Sequence, residues 1–176
     1  DARTGKWQAE LRWKDKTIGV RNFKVEEFIP NKIKVELSTK AAAAIPGQDF
    51  IFEVQSNNLF GPPASGRKVN AQVSLRPSFY KPKGFGDFSF GHDDHRFQQI
   101  NADLIETRLD ENGHQIYDYK VPENIDSPIG LNLHYSATVI DDSGRGVAQY
   151  AQIPVHLFDQ YVGIRRLSDS AIELGA

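Results

Sequence analysis

His92-Asp93-Asp94-His95 is the one stretch where side chains able to ligate a metal crowd together. Imidazole and carboxylate suit a divalent metal, and two of each in four residues would supply part of a coordination sphere. Such sites draw ligands from separate elements and need outer hydrogen bonds to orient them. His114, His134 and His156 are scattered and no H-E-x-x-H spacing occurs, so a solvated polar loop tip is expected. Asp110-x-Asn112-Gly113 starts like a calcium loop, but glycine falls at the fourth place and no Glu closes the twelfth. That stretch is expected to be a hairpin turn of the Asn-Gly type.

Other chemistries find less support. The chain has no cysteine, which removes the thiol nucleophile, the Cys-ligated zinc and the disulfide framework. No G-x-S-x-G elbow holds a serine, and no glycine-rich loop opens a helix to cradle phosphate. Carboxylates are plentiful, but nothing singles out a pair for glycoside hydrolysis, because spacing in sequence does not report spacing in space. The sequence nominates no catalytic, cofactor-binding or metal residue, and a non-enzyme is expected.

The elements that would carry any site are strands. Trp7, Ala9, Leu11 and Trp13 alternate with polar residues, as do Ile33, Val35 and Leu37, and Val69, Ala71, Val73 and Leu75. Leu131, Leu133, Tyr135, Ala137 and Val139 face one way against Asn132, His134, Ser136 and Thr138; Ala151, Ile153, Val155 and Leu157 close the series. Residues 50–54 and 117–121 fit the template less cleanly. Turns separate these runs at Gly61-Pro62-Pro63-Ala64-Ser65-Gly66 and Asp141-Asp142-Ser143-Gly144-Arg145-Gly146. Strands joined by short turns, each with one polar face, predict an all-β antiparallel sandwich. Hydrophobic residues at 39% of the 176 supply a core, while 21 basic against 23 acidic side chains, net −2, exclude a strongly basic nucleic-acid binder. No apolar run approaches the ~20 residues a spanning helix needs.

Residues 78–101 break the alternation. Phe79, Tyr80, Phe85, Phe88, Phe90 and Phe97 lie among glycines, prolines and lysines, which predicts a long connection carrying a short strand and pinned by its aromatic rings. Ala41-Ala42-Ala43-Ala44 is cut short by Pro46-Gly47 and is expected to be a loop. The chain begins at Asp1 and holds no methionine, which fits equally a segment of a longer protein and a mature chain after signal cleavage.

Phe23-Lys24-Val25-Glu26-Glu27-Phe28-Ile29-Pro30 followed by Lys32-Ile33-Lys34-Val35 resembles a junction between macroglobulin (MG) domains of the alpha-2-macroglobulin family. There a V-x-E-[FY] strand and a proline precede a strand such as K-I-K-V. Gly61-Pro62-Pro63-Ala64-Ser65-Gly66 resembles the family's G-x-P-x-x-G turn between the second and third strands. Residues 84–91 and 109–113, and Ser127-Pro128 followed by a long strand ending in Asp142-Ser143-Gly144-Arg145, look like features of the bacterial branch, and Tyr161-Val162-Gly163-Ile164 resembles the start of the following domain, all in the right order. Asn57-Asn58 departs from the pattern, standing where a small residue and an aromatic would precede the turn.

The resemblance implies an immunoglobulin-like (fibronectin-type-III-like) sandwich within a large protease inhibitor. Cleavage of a bait region there triggers collapse around the protease, and a Cys–Gln thioester can tether it. Neither device is expected in this segment, which would serve as scaffold. The implied boundaries are the last strands of a preceding MG domain at 1–28, a complete MG domain at 29–158, and the start of the next domain or a tail at 159–176. The implied partners are neighbouring MG domains and, through the whole protein, target proteases. No nucleic acid and no direct membrane contact of the segment are expected. The implied location is the periplasm, with an N-terminal lipid anchoring the parent protein to the inner membrane. Trp7, Leu11 and Trp13 are expected to pack on the complete domain or on another chain. The competing readings are a binding module of a surface adhesin or receptor, favoured by exposed aromatics on 78–101, and a β-sandwich hydrolase.

Overall fold

The computed structural model describes residues 3–26, 30–91, 97–127 and 129–167, among which every regular element is a strand. The chain divides into two compact units, residues 1–31 and 32–176. The boundary expected after residue 28 lies outside the described residues.

The first unit is an antiparallel ribbon of β1 (Gly5–Trp13) and β2 (Lys16–Val25). Trp7 stands opposite Phe23 and Leu11 opposite Gly19, and the register slips between Leu11 and Arg12. Period-two geometry therefore gathers Trp7, Leu11 and Phe23 on one face. Leu11 and Trp13 are 64% and 67% exposed, and Trp7 and Phe23 are exposed as well.

The second unit is a sandwich of two antiparallel sheets. One sheet sets β4 (Asp49–Asn58) between β3 (Ile33–Ser38) and β9 (His114–Lys120). The other runs β11 (Gly146–Val155), β10 (Leu131–Ile140), β5 (Lys68–Pro77), β7 (Ile100–Asp103), with β8 (Thr107–Arg108) also on β5. Along β10 burial alternates strictly, as the sequence pattern requires of a half-covered strand. The apolar sides of both sheets meet in a core around Phe52, Val54, Leu75, Val73, Leu133 and Val139. Phe52 stacks on Tyr117 at 5.4 Å between centroids and meets Tyr135 at 5.0 Å. The Tyr117 hydroxyl, on β9, donates to the Val69 carbonyl on β5 at 3.1 Å and lies 3.1 Å from Thr107 Oγ1. One buried phenol thus fastens the two sheets together.

Two turns carry the chain from one sheet to the other. Between β4 and β5 the turn at residues 61–66 is closed by Asn58, whose side-chain amide donates to the Pro62 carbonyl at 2.8 Å. That bond gives Asn58 a physical role at the place where the sequence departs from the family pattern. Asp110-Glu111-Asn112-Gly113 has the local form expected, with Asp110 Oδ1 accepting from the Asn112 and His114 amides at 2.8 Å each. It is not a hairpin between paired strands, however: β8 before it belongs to one sheet and β9 after it to the other. Gly113 (φ +71°) permits the crossing, since a Cβ there would sit 2.3 Å from the Ser56 carbonyl oxygen. The turn at residues 141–146 does join the neighbours β10 and β11. The run of alanines at 41–44 forms no helix, and Ala44 instead bridges to Val155 at the end of β11.

Residues 78–99 between β5 and β7 form the long connection. Among its described residues it carries a short strand, β6 (Ser89–Phe90), which pairs antiparallel with β12 (Gly163–Ile164) beyond the last long strand.

Candidate functional site

His92, Asp93, Asp94 and His95 lie outside the described residues, and no three His, Cys, Asp or Glu side chains among the described residues converge as a metal site would need. The described residues of the connection that contains them fold back on themselves and onto the outgoing chain. At its start the Ser78 amide donates to the Gly130 carbonyl at 2.8 Å, tying it to the lead-in of β10. Further along come tight turns, in which the Phe85 amide donates to the Pro82 carbonyl and the Phe88 amide to the Phe85 carbonyl, each at 3.1 Å.

These turns bring the aromatic residues together, and they hold the outgoing chain. Tyr161 stacks on Tyr80 with 4.2 Å between centroids, and Phe90 meets Tyr80 edge-on at 5.3 Å. The Tyr161 hydroxyl accepts from the Leu157 amide at 3.1 Å, and Phe158 packs edge-on to its ring at 5.9 Å. The Arg165 guanidinium lies 5.2 Å above the Phe88 ring, within cation–π range. Gly163 lets the Phe90 ring lie against its backbone, where a Cβ would come within 2.6 Å of Phe90 Cε1. The rings leave a shallow cavity of about 420 Å³ lined by Tyr80, Phe85, Phe88, Phe90 and Tyr161. The sequence places aromatic residues here but does not show their partner. Phe97 packs against the core, and Tyr80 and Phe90 also grip residues 161–163.

At the other end of the sandwich the β10–β11 turn is built around Asp141, whose side chain is 1% exposed. Its Oδ1 accepts from Ser143 Oγ at 2.6 Å, from the Ser143 amide at 2.8 Å and from the Arg145 amide at 3.0 Å. The Ser143 hydroxyl above all, with the two amides and the Arg145 charge, outweighs burial and holds the carboxyl below its ordinary range. Next to it Arg67 pairs with Asp142. These contacts close the turn.

Two antiparallel sheets packed face to face, crossed by a buried tyrosine and followed by a segment stacked on the long connection, define an immunoglobulin-like sandwich module. Residues 31–156 match the family model described as the bacterial alpha-2-macroglobulin MG5 domain, and the chain belongs to that family. It is 33% identical over 187 aligned positions to an alpha-2-macroglobulin of Pasteurella multocida, covering 97% of this chain and 9% of that protein. Among solved structures, the native Escherichia coli alpha-2-macroglobulin superposes with a TM-score of 0.75 at 23% identity, over 96% of this chain and 10% of that one. The trypsin-activated form of the Escherichia coli protein gives a TM-score of 0.67 at 24% identity, over 93% and 11%. The chain therefore spans about a tenth of the relatives it matches.

Proposed function

We propose that this chain is a non-catalytic, load-transmitting MG domain of a periplasmic protease trap, with the bait and any thioester carried elsewhere in the parent protein. The observation that carries the proposal is the pinned exit: a sandwich with its outgoing chain stacked against its own long connection is suited to hold a following domain in a set direction. The family membership and the trypsin-activated relative favour a protease as the partner of the whole protein. Residues 1–28 then supply strands to a preceding MG domain, 29–158 form this one, and 159–176 lead into the next. The exposed apolar face of Trp7, Leu11 and Phe23 is the side on which that preceding domain closes. The parent protein sits in the periplasm on an N-terminal lipid.

The test removes the joint. The parent protein with residues 32–158 excised is incubated with trypsin, and bait cleavage is followed alongside hydrolysis of a large protein substrate. Cleavage that proceeds without protection of the large substrate is expected. Full protection by the excised protein overturns the scaffold role. Release of the parent protein with the cytosolic fraction on cell lysis, and not with the membranes, overturns its location.

A further inference from the structure

The outward face of the larger sheet holds a trough whose shape comes from where small residues fall. Strand pairing sets Tyr150, Ser136, Gln72 and Asp103 in one cross-strand row, with Gln152, His134, Ser74 and Asn101 in the next. The inner strands β5 and β10 contribute serines, and the edge strands contribute a tyrosine on one side and an asparagine and aspartate on the other. The result is a floor of Ser74 and Ser136 between taller walls, with a volume of about 420 Å³. That lies at the low end of the ~300–1,000 Å³ typical of small-molecule sites. Arg76 closes one end, four residues along β5 from Gln72, or roughly 13 Å at strand rise.

We propose that this trough is a binding site for a short acidic saccharide, with its carboxylate on Arg76 and a sugar ring on Tyr150. Three features favour that ligand class. Arg76 has no carboxylate partner among the described residues; its Nε donates to Ser74 Oγ at 2.9 Å, and its guanidinium is exposed. A guanidinium of this kind is suited to bidentate capture of a carboxylate. At the far end Tyr150 is 74% exposed and offers a flat apolar face with a hydroxyl tip. Between them the lining is rich in groups that match sugar hydroxyls. Burial, and then the Arg76 charge, lower the His134 pKa below its ordinary 6.5, which favours the neutral ring with one donor and one acceptor. Gln72 donates to Asp103 Oδ1 at 2.8 Å, which fixes a carboxylate that accepts from hydroxyls and repels a second carboxylate. The acid end of a ligand is therefore directed to Arg76 and its neutral ring to Tyr150.

The experiment titrates the 176-residue chain with a trisaccharide of one terminal glucuronate and two galactose residues, which carries a single carboxylate at one end, while following backbone amide shifts. A galactose trimer and a glutamate tripeptide serve as comparators. Saturable shifts confined to the outward residues of β5, β7, β10 and β11 are expected. Arg76→Ala should weaken binding of the acidic trisaccharide about tenfold, the scale of one charged hydrogen-bond pair, without changing the weaker binding of the galactose trimer. Tyr150→Ala should weaken both sugars. Both side chains are exposed, so neither variant should alter the fold, which the undisturbed remainder of the spectrum reports. The proposal is overturned by shifts absent at millimolar ligand, by shifts indifferent to both substitutions, or by equal affinity for the glutamate tripeptide.

Discussion

The ring of Tyr161 lies on that of Tyr80 with 4.2 Å between centroids and 22° between planes. One ring belongs to the connection between β5 and β7, and the other to the segment leaving the sandwich. The stack thus joins parts of the chain about eighty residues apart, at the point where the chain leaves the domain.

Tyr80→Ala, Tyr161→Ala and the double variant should show a coupling of ~0.5–1.5 kcal/mol in a thermodynamic cycle, the range for aromatic pairs beyond their burial. Hydrogen exchange reads the location. The Gly163 and Ile164 amides should exchange faster in each variant, while β10 amides keep their protection. Unchanged exchange at β12 would mean the stack pins nothing.

Tyr117→Phe should cost ~1–3 kcal/mol in denaturant unfolding, because it strips the Val69 carbonyl of its buried donor and leaves Thr107 without its partner. Burial raises the Tyr117 phenol above its ordinary 10.0, as it does those of Tyr119 and Tyr135, so ultraviolet titration of the folded chain should show late-ionising tyrosines, and that late component should shrink in the variant.

Gly113→Ala should destabilise by at least ~1–3 kcal/mol from the backbone alone. It asks an L residue to hold φ +71° and drives a methyl to within 2.3 Å of the Ser56 carbonyl. Gly144→Ala, at φ +80° but in open space, should cost less. Equal losses in thermal melts would contradict the packing described at the sheet crossing.

Asp141 gives a pH dependence with a definite sign. Its folded pKa is depressed below the ordinary 3.8. Its stabilisation is therefore complete above that ordinary value and is lost as pH falls through the folded value. Asp141→Asn should be less stable than the parent chain at neutral pH and should lose less on acidification. Parallel stability curves would refute the role of the carboxylate.

Much of this architecture was legible because period-two alternation is local. Residues 131–139 and 69–75 announce half-buried strands directly, and the antiparallel sandwich follows from them. What escaped is what depends on distant partners. Residues 110–113 show turn chemistry in four positions, but the sheets their flanking strands join are set by pairings with β5 and β4. β6 and β12 have two residues each and can show no period; they exist because they meet one another under an aromatic cluster. The trough was hidden for a related reason. Ser74 and Ser136 read as ordinary outward polar residues until strand order places them side by side between Tyr150 and Asp103.

That this domain serves a protease trap as scaffold and not as inhibitor is tested most directly by titrating trypsin with two proteins in parallel: the isolated 176-residue chain and the full parent protein. Hydrolysis of a large protein and of a small peptide is followed in each. The chain, even in large excess, should slow neither reaction, whereas the parent protein should suppress cleavage of the large substrate and spare the small one. Inhibition by the isolated chain, or a parent protein that protects nothing, would contradict the scaffold role.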